Sequence, residues 1–222
     1  MAIEELDLDL DLSTPVLPPA VARLIQASER RWEQFFASRS HRRFPRFVPS
    51  DAAVVFAALD DVTRRDLAPG RVFCEWGSGL GTVACLAALL GYEAYGIEME
   101  PELVDLSREM AHELAIPVEI LCTSYVPEDY ESYSGVGGED LVQLETFSYP
   151  GATIDDAPQY DGMAMEIAAI DLFFVYPWPD EQDLMQKLFD AVAGEGAILL
   201  AYHSAKEICV YRKLFDEGSR YA

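Results

Sequence analysis

The sequence predicts an α/β fold: a mostly parallel sheet with helices on both faces. Three observations carry that expectation. Short apolar runs and amphipathic helical stretches alternate through 71–122 with short links, the order that builds parallel strands. The run 168–175 (AAIDLFFV) is almost continuously apolar, as a strand covered on both faces must be. Between them in importance, 71–90 (RVFCEWGSGLGTVACLAALL) passes from strand to helix through a turn with glycines at alternate positions, Gly77, Gly79 and Gly81. Such a turn brings backbone close to a ligand, and the helix behind it offers unpaired N–H groups.

The elements follow in order. Residues 1–19 hold a DLDLDL repeat and STPVLPP; alternation allows an edge strand, and composition favours a disordered acidic tail. Residues 18–38 predict a helix that opens on Pro18 and Pro19, where a missing N–H costs little, with Val21, Leu24, Ile25, Trp32, Phe35 and Phe36 at helical spacing. Residues 40–49 (SHRRFPRFVP) form a basic-aromatic connector broken by Pro45 and Pro49. Residues 50–61 predict a second helix, with Ser50 as its cap. Residues 72–74 open the sheet, the glycine turn spans 75–81, and a helix begins near Leu80 and is closed by Gly91. A strand over 94–97 ends at Glu98, and Pro101 opens a helix with Leu103, Leu106, Met110 and Leu114 on one face. A third strand, 118–122, follows.

The alternation breaks at 125–166, which holds five tyrosines, GVGG and several acids; a connection this long reads as a lid or substrate-binding insertion, with one short strand possible at 141–149. After the strand 168–175 come Tyr176-Pro177-Trp178-Pro179, a helix capped by Asp180, a buried strand over 197–203, and one more at 208–211. The usual closing hairpin of such a sheet therefore reads as reduced. The chain divides into 1–49, an acidic tail, helical extension and connector, and 50–222, the main domain with its insertion at 126–166.

Composition narrows the classes. The net charge is −23, from 39 acidic and 16 basic residues. Seven of the sixteen basic residues lie in 23–46, and none lies between Arg108 and Lys187. A general nucleic-acid binder would not be built this way. The N-terminus lacks the basic start and apolar block of a signal peptide, and no apolar run is long enough to span a bilayer. Cys74, Cys85, Cys122 and Cys209 show no metal-binding spacing, so reduced thiols, no bound metal and a cytoplasmic location are expected.

The glycine turn does not fit a nicotinamide site. That pattern wants a third glycine three residues after the second, where this chain has Thr82. The spacing is instead E-x-G-x-G-x-G. It resembles the first motif of class I S-adenosylmethionine-dependent methyltransferases, and Gly96-Ile97-Glu98-Met99-Glu100-Pro101-Glu102-Leu103 is similar to the family's second, G-[IV]-[DE]-x-x-P-E-[LM]. Phe47-Val48-Pro49-Ser50 is similar to a [FY]-x-P-[ST] stretch of lysine-methyltransferase-like members. The resemblance covers 47–125 by motif and 168–203 by pattern.

That resemblance implies a Rossmann-like fold, S-adenosylmethionine as cofactor, and a set of roles. Glu75 would meet the ammonium of the methionine moiety, with Gly77, Ser78, Gly79 and Gly81 along the methionine and ribose. Glu98 would take the ribose hydroxyls, a bidentate fit of two oxygens to two donors. Met99 and Tyr125 would flank the adenine, and Ser124 stands where the family often has Asp. The acceptor would meet the donor at Tyr176, Pro177 and Trp178. These lie near, without matching, the [DNS]-P-P-[YFW] signature of amino-group methylation and the P-D-P-W-P of transfer-RNA guanine-N7 methyltransferases. Asp180 and Glu181 replace the basic stretch of the latter, which argues against nucleic acid. Tyr176 and Asp180 are the leading candidates for a proton acceptor, with Asp171 and His203 behind them. The expected activity is methyl transfer to a small-molecule or protein amine, a cationic acceptor; the competing reading is a non-catalytic binding or assembly module.

Overall fold

The computed structural model describes residues 3–7, 16–38, 44, 47–127, 159–203 and 207–214. Its elements are β1 (Ile3–Leu6), α1 (Pro19–Ala37), α2 (Ala52–Arg64), β2 (Val72–Trp76), α3 (Thr82–Leu89), β3 (Glu93–Glu98), α4 (Pro101–Leu114), β4 (Val118–Cys122), β5 (Leu172–Val175), α5 (Gln182–Val192), β6 (Ile198–His203) and β7 (Glu207–Lys213). The seven strands form one sheet in the order β1-β7-β6-β5-β2-β3-β4. Strands β2 to β6 pair in parallel, and β7 runs antiparallel to both β6 and β1. This is the Rossmann-like α/β architecture the alternation predicts.

Strand alternation sorts the core into two layers. On one face Phe73, Leu172, Phe174, Ile198 and Leu200 pack beneath α1, α2, α3 and α4. On the other, Cys74, Trp76, Phe173, Val175 and Leu199 pack against α5 and the segment around Ile167. All four residues of β5 are buried, which is why its sequence is apolar throughout. Tyr160 and Met163 join this second layer, so the end of the long insertion is part of the core. The expected strand at 141–149 and most of the proposed lid lie outside the described residues.

Several boundaries differ from expectation. Helix α3 starts at Thr82, because Gly81 has φ +68°, a left-handed conformation that cannot be the first helical turn. Asp51, not Ser50, caps α2: its carboxylate accepts from the Ala53 and Val54 N–H groups at 3.1 and 3.2 Å. Asp180 does not cap α5; Glu181 holds that position, with no side-chain cap bond. The tail fails as a description of 3–6. Ile3 pairs with Lys213 and Leu6 with Val210, Ile3 and Leu6 reach the two core layers, and Glu4 meets Arg212 at 3.4 Å. Among the described residues the segment after β6 supplies a single strand, as a reduced hairpin implies, and β1 is its outer neighbour.

Candidate ligand site at the carboxyl ends of the strands

Parallel strands end together, and here β2, β3, β5 and β6 deliver their last residues to one edge. A cavity of about 800 Å³ opens there. Its lining includes Glu75, Gly77, Ser78, Glu98, Met99 and Tyr125. Tyr176, Pro177 and Trp178 also line it, and Phe47 and Pro49 of the connector, with Ser50 after them, close its wall. Open α/β sheets bind ligands at this edge.

Glu75 is 5% exposed, and its carboxylate accepts from the Ala84 N–H at 2.8 Å. Ala84 lies in the first turn of α3, whose own N-cap is Gly81 and has no side chain to offer, so an acid from the neighbouring strand caps the helix. Burial pushes this carboxyl well above its ordinary range; the Ala84 N–H pulls it back and Glu98 pushes it up again. Glu75 thus brings a buried acid to the cavity wall beside a second acid, Glu98.

Glu98 ends β3. One oxygen accepts from Gly79 N–H at 2.8 Å, and the other from Met99 and Glu100 N–H at 2.8 and 3.0 Å. A carboxylate has about four acceptor positions, so two hydroxyl donors would displace at least one of these backbone bonds.

The three glycines of the turn face different neighbours. A side chain at Gly77 would meet nothing within 4 Å, so this residue alone of the three presents open space. At Gly79 a Cβ would run into the ring of Phe47, and at Gly81 into Ser107 of α4. Gly79 and Gly81 are therefore small for packing: the connector and α4 approach the turn where a ligand was expected. Ser28 of α1 and Thr82 share a hydroxyl hydrogen bond of 2.6 Å at the cavity wall, which fixes α1 to the start of α3.

Aromatic rings form the rest. Trp76 stacks on Tyr125 at 6.0 Å and tilts on Phe173 at 5.1 Å. Phe47 stands edge-on to Trp32 and Phe35 at 5.3 and 5.6 Å. Tyr176 meets Tyr202 edge-to-face at 4.8 Å, and both line the cavity. The Trp76 indole N–H and the Ser78 hydroxyl are buried with no hydrogen-bond partner among the described residues.

Other candidates lie elsewhere. Asp171 precedes β5 and so stands at the opposite edge of the sheet, where its carboxylate accepts from Val72 N–H at 2.9 Å. Asp180 is exposed and outside the lining, whereas Glu181 is part of it. Ser124 accepts from Val126 N–H at 3.0 Å and also stands outside the lining, as does His203. Sequence reasoning missed Asp51, Trp76, Glu181 and Tyr202. The period of two along β2 and β6 carried a signal for Trp76 and Tyr202; nothing in the sequence showed that α1 would bring Glu29 and Trp32 to the same edge. No grouping of residues able to hold a metal occurs among the described residues, and none of their helices is long and apolar enough to cross a membrane.

Fold and site together define a Rossmann-like α/β protein with an acidic cavity at the carboxyl edge of its sheet. No family model and no curated protein matches the chain. Among solved structures it is similar to an RNA methyltransferase from Salinibacter ruber in complex with S-adenosyl-L-homocysteine, with 17% identity over 79% of this chain and 98% of that one, TM-score 0.49. It is also similar to the SAH-bound Podospora anserina methyltransferase PaMTH1 (14% identity, 85% of this chain and 64% of that one, TM-score 0.47). A third is the O-methyltransferase TomG from Streptomyces achromogenes, in complex with SAM (16% identity, 86% and 67%, TM-score 0.43). At such identities and scores the likenesses decide nothing about chemistry, which is read from the site itself.

Proposed function

We propose that this protein is an S-adenosylmethionine-dependent methyltransferase. The observation that carries the reading is the placement of Glu75, Gly77 and Glu98 around one cavity at the ends of β2 and β3. Glu75 receives the ammonium of the donor's methionine moiety, a charge that relieves its burial beside Glu98. Gly77 admits the donor against bare backbone. Glu98 turns from its backbone donors to the ribose hydroxyls, and Met99 and Tyr125 flank the purine. The orphan Trp76 N–H and Ser78 O–H supply hydrogen-bond donors at the same end. When bound, the cofactor supplies a methyl group on a sulfonium, which leaves as a neutral thioether. The chain's remaining task is to hold an acceptor in line and exclude water, which lowers the barrier by positioning.

The acceptor we favour is an amine, on a small molecule or a protein. Six acids line the cavity (Glu29, Asp51, Glu75, Glu98, Glu100 and Glu181), and its described lining has no Lys, Arg or His. That sign suits a cation and opposes a nucleic acid. Tyr176, Pro177 and Trp178 form the acceptor edge; Tyr176 keeps its candidacy as a proton acceptor there, and Glu181 stands where Asp180 was expected. Four free thiols agree with a cytoplasmic location.

Titration calorimetry with S-adenosylmethionine and S-adenosylhomocysteine tests the reading. Both should bind at one site per chain, and Glu98→Ala should weaken both. Failure of either to bind the parent protein would leave the alternative, a module that keeps the fold for binding or assembly.

A further inference from the structure

We propose that Ser28 of α1 and Thr82 of α3 together receive the carboxylate at the amino-acid end of the methyl donor. This rests on the methyltransferase reading above and deepens it, because it makes the N-terminal extension part of the donor site.

The donor's amino-acid end carries an ammonium and a carboxylate on one carbon. Glu75 receives the first in the reading above, so the second must lie close beside Glu75. A carboxylate is ordinarily met by Arg or Lys. The described lining of the cavity holds neither, and no His. Neutral donors must therefore take their place. They must also stand near the start of α3, where Glu75 accepts from the Ala84 N–H.

Ser28 and Thr82 meet both conditions. Each lines the cavity and each is half-buried. Their hydroxyl oxygens are 2.6 Å apart, and either can donate to the other. Every hydroxyl has one proton to give and lone pairs to accept with. The bond between the two uses one proton, so the pair keeps a second whichever way it points. A hydroxyl that already accepts a hydrogen bond is polarised to donate more strongly. The backbone adds to this. Thr82 is the first residue of α3, and the N-cap Gly81 makes no side-chain bond to the first turn. The Thr82 and Val83 N–H groups have no acceptor within the helix, and the helix dipole favours an anion there. A second observation points to a ligand at the same turn. Ser78, also in the lining, is 5% exposed, and its hydroxyl has no partner among the described residues. Ser28 and Thr82 are 54 residues apart in the chain, so this receptor exists only while α1 is packed against the start of α3.

Calorimetry with S-adenosylhomocysteine and its decarboxylated analogue, which keeps the ammonium, ribose and purine, isolates the carboxylate. The parent protein should bind S-adenosylhomocysteine more tightly than the analogue. Ser28→Ala and Thr82→Val should each weaken S-adenosylhomocysteine severalfold. The double variant should weaken it by about tenfold or more, the scale of a lost hydrogen bond to a charged group. Affinity for the analogue should stay at the parent level in all three, which also reports that each is folded. A parent that binds the analogue as tightly as S-adenosylhomocysteine overturns the proposal without any variant. An equal loss of both ligands in the variants, the mark of a packing contact alone, overturns it too, as does no loss of either. Failure of the parent to bind both ligands overturns the methyltransferase reading itself.

Discussion

Glu75 is a buried acid whose charge is a structural cost at the wall of the cavity. Its folded value is raised by burial first and by Glu98, against the help of the Ala84 N–H. The protonated form is therefore favoured in the folded state. Its contribution to stability is full below the ordinary carboxylate range and is lost as pH rises through the raised folded value. Glu75→Gln keeps an oxygen for the Ala84 N–H and removes the charge. The variant should melt higher than the parent at neutral pH, by about 2–4 °C for each kcal/mol gained in a chain of this size, with the gap closing toward pH 4. It should also lose affinity for S-adenosylhomocysteine. Thermal melts across that pH range, paired with calorimetry, check both halves; a lower neutral melt would show that the carboxylate stabilises the turn. The place of Glu75 and Glu98 on the cavity wall was legible because each acid stands at a strand end that a parallel sheet delivers to one edge. The glycines were legible only as a group. That Gly79 makes room for Phe47 and Gly81 for Ser107 depends on partners 32 and 26 residues away in the chain, and no local spacing encodes them.

Elements were read more surely than their ends. The alternation of periods placed α2 to β4, because each strand and helix declares its buried face locally. Caps were misplaced by a residue at Asp51 and at Glu181, since neighbouring polar residues compete for one position and only the local φ and ψ decide. Direction along an element mattered more than its presence. Asp171 belongs to the apolar run that leads into Tyr176, yet it stands just before β5, and a parallel strand puts its two ends on opposite edges. Its carboxylate joins β5 to Val72 at the start of β2, beneath a glycine, Gly70, whose missing side chain leaves it room. Asp171→Ala strands the Val72 N–H and should cost about 1–3 kcal/mol of stability. Methyl transfer per folded molecule should stay at the parent level. A melt unchanged from the parent together with a fall in rate would instead place Asp171 in the chemistry.

At the scale of the molecule, the N-terminal segment is part of the site's architecture. Helix α1 buries Val21, Leu24 and Ala27 in the same core layer as α3, and it carries Glu29 and Trp32 to the cavity. Composition separated 1–49 from the rest by charge, whereas packing joins them. β1 covers the outer edge of β7, which would otherwise present unpaired N–H and C=O groups to solvent. Deleting residues 2–7 should lower the melting temperature and produce concentration-dependent association, both visible by light scattering during a thermal ramp. A monodisperse variant with the parent's melt would show that the edge needs no cover. The pairing of β1 with β7 was invisible in the sequence because Ile3-Glu4-Glu5-Leu6 has no strand alternation of its own, and the partner that orders it lies far along the chain.

That pairing also sets an order of events. Ile3 meets Lys213, so β1 is bonded to a strand synthesised 210 residues after it. At synthesis rates of about 5–20 residues per second, β1 waits on the order of 10–40 seconds for its neighbour. Until then the sheet can grow from β2 to β6 without it. β1 can pair only once β7 exists, so a nascent chain halted before β7 would hold the glycine turn with its clasp undone.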